Sequence, residues 1–286
     1  MNKVILLGAS GQLGQETARQ LLKKNYELTR IDHDQFEAAT DFDKLDQFQD
    51  ADIIINCIAF HDVNRCETEF TRSMKINGEF VKQLALFCDK HNITLIHIST
   101  DYVFDGKKKT PYTETDLPAP LNAYGVSKLA GEMLVKAYCR KHYILRVAGL
   151  FGVKENDVDT NNFVEKMIRA AHEKQSIKVI EDQIMSPTYT KDIARAMIAL
   201  IEQKAEFGLY HGVNSGSVSW YDFALKIFQL TGHKADISPI TYNEYHSIAR
   251  RPQYCSLDNS KIMTYYEMPS WTDAMAGYLR EKGQIK

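Results

Sequence analysis

Four apolar residues, Val4 to Leu7, run straight into Gly8-Ala9-Ser10-Gly11-Gln12-Leu13-Gly14, and a helical spacing of apolar positions takes over from Thr17 to Leu22. A short unbroken apolar run reads as a strand buried on both faces, as in a parallel sheet, and the change to a period near 3.6 reads as a helix returning across it. The glycines allow a tight turn and let the backbone approach a bound group, while the amide-rich start of the helix favours negative charge. Strand, glycine turn and helix in this order constrain the chain more than any other stretch. They make Gly8, Gly11 and Gly14 candidate contacts of a dinucleotide pyrophosphate rather than parts of a merely structural turn.

The same alternation continues. Glu27 to Ile31 and Asp52 to Cys57 read as strands, Phe80 to Cys88 as a helix, Thr94 to Ile98 as a strand, Asn122 to Glu132 as a helix and Tyr143 to Val147 as another strand. This predicts an α/β fold with a doubly wound, Rossmann-like parallel sheet. Beyond Val147 the pattern loosens. Asn161-Asn162-Phe163 opens an amphipathic helix, Ile177 to Ile180 is a strand, Lys191 to Ile201 a helix, Tyr210 to Val213 a short strand and Trp220 to Leu230 a helix. The Trp, Phe and Leu spacing of that last helix reads as core rather than as a binding surface. The expected division is a dinucleotide-binding domain over 1–150 with about 186–212, and a smaller, interleaved α+β substrate domain over about 151–185 and 213–286.

The chain's 35 basic and 37 acidic residues give a net charge of −2, which offers no general attraction to nucleic acid or to an anionic membrane. Lys107, Lys108 and Lys109 read as a solvated loop tip. Five cysteines, Cys57, Cys66, Cys88, Cys139 and Cys255, lack CxxC spacing, which argues against a disulfide framework or a zinc site and fits a reducing compartment. With the first strand starting at about Lys3 and no apolar run approaching a membrane span, a cytoplasmic protein is expected. No metal-ligand cluster stands out.

Chemistry concentrates at a few points. Tyr124 and Lys128, four apart in NAYGVSKLAGE, stand on one helix face, where an ammonium favours phenolate and pulls the phenol toward a useful pKa. Taken alone, such a pair is more often a solvated face. Thr100, at the end of a strand in STDYVFDG, is placed to donate to a carbonyl oxygen and completes a Thr, Tyr, Lys set. Asp32 ends the second strand, where an acid can accept from an adenosine ribose or simply cap a turn, and Arg30 beside it leaves NAD and NADP both open. Asp41 and Phe42 suit an adenine edge or, equally, a helix cap and a core ring. Ala59, Phe60 and His61 follow another strand, at the edge where ligands gather. Arg250 and Arg251 suit a phosphate clamp, although an exposed pair is the usual case.

Together GASGQLG, STDYVFDG, NAYGVSKLAGE, NNF, DQIMSPT and the late Arg-Pro resemble the extended short-chain dehydrogenase/reductases, and within them the dTDP-4-dehydrorhamnose reductase family, over nearly the whole chain. The GxxGxxG spacing of the first turn is a short-chain variant. The resemblance implies reduction of the 4-keto group of a dTDP-linked 6-deoxy sugar to dTDP-L-rhamnose with NADPH or NADH, for surface polysaccharide. By motif, Gly11, Gln12 and Leu13 would contact the pyrophosphate, Asp32, Asp41 and Phe42 the adenosine end, and Ala59 to His61 the middle of the dinucleotide. Thr100 and Asp101 would meet the sugar, with Arg251 as a further substrate contact. Tyr124 would give the proton, and Lys128 would bind the nicotinamide ribose and acidify Tyr124. The implied assembly is a monomer or homodimer. Some relatives bind magnesium at a dimer contact, which these motifs do not encode.

Two departures concern the sugar. Gly149 stands in Arg146-Val147-Ala148-Gly149-Leu150-Phe151-Gly152 where the family has a tryptophan, and Asn56 to Asn64 alters a second motif. Rival expectations are a nucleotide-sugar epimerase or dehydratase, which Tyr102 after Asp101 disfavours against an acid there, and a non-catalytic NADP-binding regulatory subunit. The intact Thr100, Tyr124 and Lys128 set disfavours the latter.

Overall fold

The computed structural model describes residues 2–154 and 162–286, so Asn161, expected at the start of a helix, lies outside them. The first half runs β1 (Lys3–Leu7), α1 (Gln12–Lys23), β2 (Glu27–Ile31), β3 (Ile53–Asn56), α2 (Val63–Thr68), α3 (Phe70–Met74), α4 (Phe80–Lys90), β4 (Thr94–Thr100), α5 (Ala123–Tyr138) and β5 (His142–Val147). Then come β6 (Leu150–Phe151), α6 (Phe163–His172), β7 (Ser176–Ile180), β8 (Ile184–Met185), β9 (Thr188–Tyr189), α7 (Thr190–Glu202) and β10 (Gly208–His211). The chain closes with β11 (Val218–Ser219), α8 (Trp220–Thr231), β12 (Asp236–Ile240), α9 (Ser260–Met263) and α10 (Trp271–Glu281).

Six strands form one sheet in the order β2-β1-β3-β4-β5-β10, every pair parallel. Alternate residues of each strand point to opposite faces. Val4 and Leu6 therefore join Leu13, Leu21, Ile193 and Met197 of α1 and α7 on one side. Ile5 and Leu7 join Phe80, Leu84 and Phe87 of α4 on the other. Both faces are covered, which is why Val4–Leu7 and Ile53–Ile55 are apolar runs rather than alternating, whereas the edge strand β2 is largely exposed. The chain leaves β1 for β2 on one side and for β3 on the other, so the carboxyl ends of β1 and β3 flank a topological switch point, where open α/β sheets take their ligands.

The turn after β1 is tied down by the Gly8 amide, which donates to Ile31 O at 2.8 Å. At Gly14 a Cβ would fall 2.2 Å from Gly8 O. The roughly 0.8 kcal/mol available from burying one methyl cannot offset that clash with backbone, so glycine here lets α1 close onto its own turn.

A separate core gathers Phe151, Val164, Ile168, Val179, Phe223, Ile227, Met275 and Tyr278 from β6, α6, β7, α8 and α10. β7 pairs with β12 in parallel, Ile177 opposite Ile237, a partner that the strand's sequence does not announce. The C-terminal segment also returns to the first core, where Ile262 and Met268 are buried. α8 packs on this core, as its spacing predicts. Phe223 and Ile227 are buried, but Trp220, at the helix start, is partly exposed and lines a cleft. Helical spacing predicts which face is apolar; it does not predict that the first residue overhangs the edge of the core.

Candidate active site

α5 carries the Tyr124 and Lys128 pair, and several contacts fix its start. Asn122 caps the helix by accepting from the Gly125 amide at 2.8 Å, while its own amide nitrogen donates to Arg250 O at 2.7 Å. Glu67 accepts from the Ala123 amide at 2.9 Å. A Cβ on Gly125 would lie 2.2 Å from Tyr102 O, so glycine brings the helix against the turn that follows β4. Lys128 is buried beneath, its Nζ donating to Ile98 O of β4 at 2.6 Å. Helix and strand are thereby locked together where Thr100 and Tyr124 emerge.

The larger of two adjoining clefts has a volume of about 640 Å³. Gly11, Gln12, Leu13, Gly14, Ala59, His61, Tyr124 and Lys128 are among the residues that line it. The first turn of α1 holds no acidic residue, which suits the dipole and free amides of a helix start to a pyrophosphate. The residues present therefore fit a dinucleotide. Five of the expected contacts stand outside this lining. Gly8 serves the turn. Asp32 accepts from the Ser10 amide at 2.6 Å, bracing the glycine loop with its carboxylate. Asp41 is occupied by the Glu37 amide at 3.0 Å and the Lys44 ammonium at 2.8 Å, and Phe42 packs on the core. The Phe60 ring turns away under the Arg65 and Arg72 guanidinium groups, 5.2 and 5.3 Å from its centre.

The smaller cleft, about 270 Å³, has Thr100, Asp101, Tyr124, Gly149, Met185 and Trp220 among its lining residues. Thr100 donates to Asp101 Oδ1 at 2.9 Å and lies within hydrogen-bonding reach of the Tyr124 phenol. The two clefts share His61, Tyr124, Val147 and Leu150. A third opening, about 780 Å³, continues from the small cleft past Ile184. Lys107, Lys109, Arg250, Arg251 and Tyr242 line it, opposite Asp105 and Asp182. Arg251 is partly buried, its guanidinium over the Tyr245 ring at 5.7 Å and its Nε without a partner, so it is more than an exposed basic pair would suggest.

Burial dominates the electrostatics. It raises the Tyr124 phenol above its ordinary value against an opposing hydrogen bond from Thr100. Lys128 does not figure among the groups that shift this phenol, and burial sets the direction. The ammonium is turned to Ile98 O, and desolvation of the phenolate outweighs any attraction to it. The phenol is accordingly the protonated, donating form at neutral pH. Burial pulls Lys128 down to about 8, opposed by the Glu132 carboxylate. It pushes Asp101 up to about 6, against hydrogen bonds from Cys255 and Thr100.

Sequence reading overlooked several residues beneath these clefts. Asn77, inside a one-turn π-helical segment Lys75–Glu79, binds both backbone groups of Phe60 and also Ser127. Such segments interrupt α-helices at functional sites and leave no mark in an apolar pattern. Asn56 accepts from the Ile58 amide at 3.0 Å and meets His97 Nδ1 at 3.2 Å. Arg146 and Glu132, each 1% exposed at the side chain, form a two-pronged ion pair, with Nε to Oε1 at 2.8 Å and Nη2 to Oε2 at 2.6 Å. Ser99 donates to the same carboxylate at 2.5 Å.

A sequence model of the RmlD substrate binding domain matches residues 1–283. The chain belongs to the dTDP-4-dehydrorhamnose reductase family. It is 38% identical to the spore coat polysaccharide biosynthesis protein SpsK of Bacillus subtilis (strain 168), covering 99% of this chain and 98% of that one. It is 35% identical to the dTDP-4-dehydrorhamnose reductase of Aggregatibacter actinomycetemcomitans over 92% of both chains. The crystal structure of dTDP-4-dehydrorhamnose reductase from Bacillus anthracis str. Ames in complex with NADP superposes with a TM-score of 0.91 at 34% identity, covering 98% of this chain and 99% of that one. Family membership and the parallel sheet thus agree, and no helix among the described residues is long and apolar enough to cross a membrane.

Proposed function

We propose that the chain reduces the 4-keto group of a dTDP-linked 6-deoxy sugar, dTDP-4-dehydro-L-rhamnose, to dTDP-L-rhamnose with NADPH or NADH, in the reducing cytoplasm. The observation that carries this reading is the meeting of two clefts at one phenol. Tyr124 lines both, Lys128 lies in the larger and Thr100 in the smaller. When bound, the reduced nicotinamide supplies the hydride that goes to the carbonyl carbon.

The chain's own residues do the rest. Thr100 turns its hydroxyl from Asp101 to the carbonyl oxygen and polarises it. Tyr124 gives its proton to that oxygen as negative charge develops there, so carbon gains the hydride, oxygen the proton, and the phenolate is reprotonated from solvent. Lys128, in the lining of the large cleft, holds the ribose, and its positive charge on the helix turn after Tyr124 favours the phenolate as the proton leaves. Gly11, Gln12 and Leu13 bind the pyrophosphate at the start of α1, with Ala59 and His61 along its middle. Arg251, in the basic opening that continues the small cleft, takes the phosphates of the sugar nucleotide. Holding both reactants in register converts a bimolecular encounter into an internal one.

The test is oxidation of NADPH and NADH against a panel of nucleotide-linked 4-keto sugars, with the product identified by NMR. Tyr124→Phe should lower kcat by about 100-fold or more while the Kd for NADPH stays within about twofold. Near-normal turnover of that variant would remove Tyr124 from the role. Absence of nucleotide oxidation on every sugar would overturn the activity itself.

A further inference from the structure

The small cleft that Thr100 and Tyr124 line is also lined at position 149, by a residue without a side chain. Gly149 sits at φ +47°, and a Cβ there would meet the Met185 sulfur at 2.9 Å and Pro187 Cα at 3.4 Å. A side chain could enter only by displacing the thioether while also adopting a backbone conformation that favours glycine. An aromatic surface comes instead from a distant segment. Trp220, the first residue of α8, lines the cleft beside Met185.

Trp220 is held as a rigid wall. Its amide donates to Gln183 O at 3.3 Å, and the preceding Ser219 and Val218 pair antiparallel with Ile184 and Met185. Its ring packs on Phe163 with centres 4.7 Å apart and meets Phe223 edge-on at 6.3 Å. The indole keeps partial exposure on the cleft side, so it offers a flat apolar surface that folding has already ordered. A sugar has one face rich in C–H bonds, and a 6-deoxy sugar adds a methyl group to its apolar surface.

We propose that Trp220 is the specificity-determining residue of the small cleft: its indole covers the C–H face of the sugar ring whose carbonyl lies at Thr100 and Tyr124, with Met185 beside the methyl. The assignment rests on the activity proposed above. It makes the ring of α8, rather than any residue of the Arg146 to Gly152 stretch, the surface that recognises the sugar as distinct from the nucleotide.

The chain has two tryptophans, so Trp271→Phe leaves Trp220 as the sole indole. With NADP⁺ saturating, dTDP-L-rhamnose should change the Trp220 emission at least about twofold more than dTDP does, since only the sugar reaches the ring. In the enzyme assay, Trp220→Ala should raise the KM for the keto sugar about tenfold, leave that for NADPH within about twofold, and be largely rescued by Trp220→Phe. An equal response to dTDP and to dTDP-L-rhamnose, or no response to either when calorimetry shows that both bind, overturns the proposal while the activity stands. Failure of both to bind overturns the activity and this proposal together. Should Trp220→Ala fail to fold, the single-indole titration decides.

Discussion

Asn77 holds Phe60 by both of its backbone groups, Oδ1 accepting the amide at 2.9 Å and Nδ2 donating to the carbonyl at 3.0 Å, and the same Nδ2 reaches Ser127 Oγ at 2.9 Å. One buried side chain thus joins the loop after β3 to the helix of Tyr124. Asn77→Ala leaves the Phe60 amide without its partner, while Phe60 O keeps Cys66 Sγ and Ser127 keeps Tyr124 O, and one unsatisfied buried polar group costs about 1–3 kcal/mol. Urea denaturation should show a loss of at least that size, and titration calorimetry should show NADPH binding weakened by about tenfold. Asn77→Asp, which still accepts from the Phe60 amide but cannot donate, should lose less.

The Arg146 and Glu132 pair makes a different prediction. Both side chains are buried, so removing one partner strands a charge, at a cost of about 3–5 kcal/mol. Arg146→Leu should therefore be severely destabilised in denaturant titration, and adding Glu132→Leu should recover part of the loss. Additive effects of the two changes would show that the pair is not coupled.

Lys128 titrates at about 8 because burial penalises its charged form. As pH rises from about 7 to about 9 the ammonium should be lost and NADPH affinity should fall by about tenfold. Lys128→Met should bind weakly and show no such dependence when Kd is measured across that range. The sign for stability is opposite. Unfolded lysine holds its proton to about 10.4, so between about pH 8 and 10 the unfolded chain binds more protons and this group's contribution to stability rises with pH.

For Asp101, burial raises the carboxyl to about 6. Below about pH 4 both folded and unfolded chains carry the proton and the penalty vanishes; above about pH 6 the folded chain bears a buried charge at an upper cost near 3 kcal/mol. Asp101→Asn should consequently gain stability relative to wild type at about pH 7.5 and not at about pH 4. Equal differences in unfolding free energy at the two pH values would contradict this.

The sheet was legible because its strands are buried on both faces and read as apolar runs, and the glycine turn announced α1. Thr100, Tyr124 and Lys128 were legible because strand ends and helical spacing are sequence properties. What the spacing could not convey was solvation. The phenol of Tyr124 was expected to be acidified, but its pKa follows burial, which depends on elements far away in the chain. Position alone left Asp41 and Phe42 open between an adenine edge and a cap with a core ring, and it could not show that Lys44, three residues on, meets the carboxylate. The place of Trp220 in the cleft was illegible for a related reason. Periodicity ranks the faces of a helix, whereas its exposure at the cleft depends on where α8 begins relative to β8 and β11.

The two clefts have a common partition made of His61, Tyr124, Val147 and Leu150. A ligand on one side that shifts any of these four side chains would alter the surface presented to the other. Linkage then requires that the dinucleotide strengthen or weaken sugar binding by the same factor as the sugar alters dinucleotide binding.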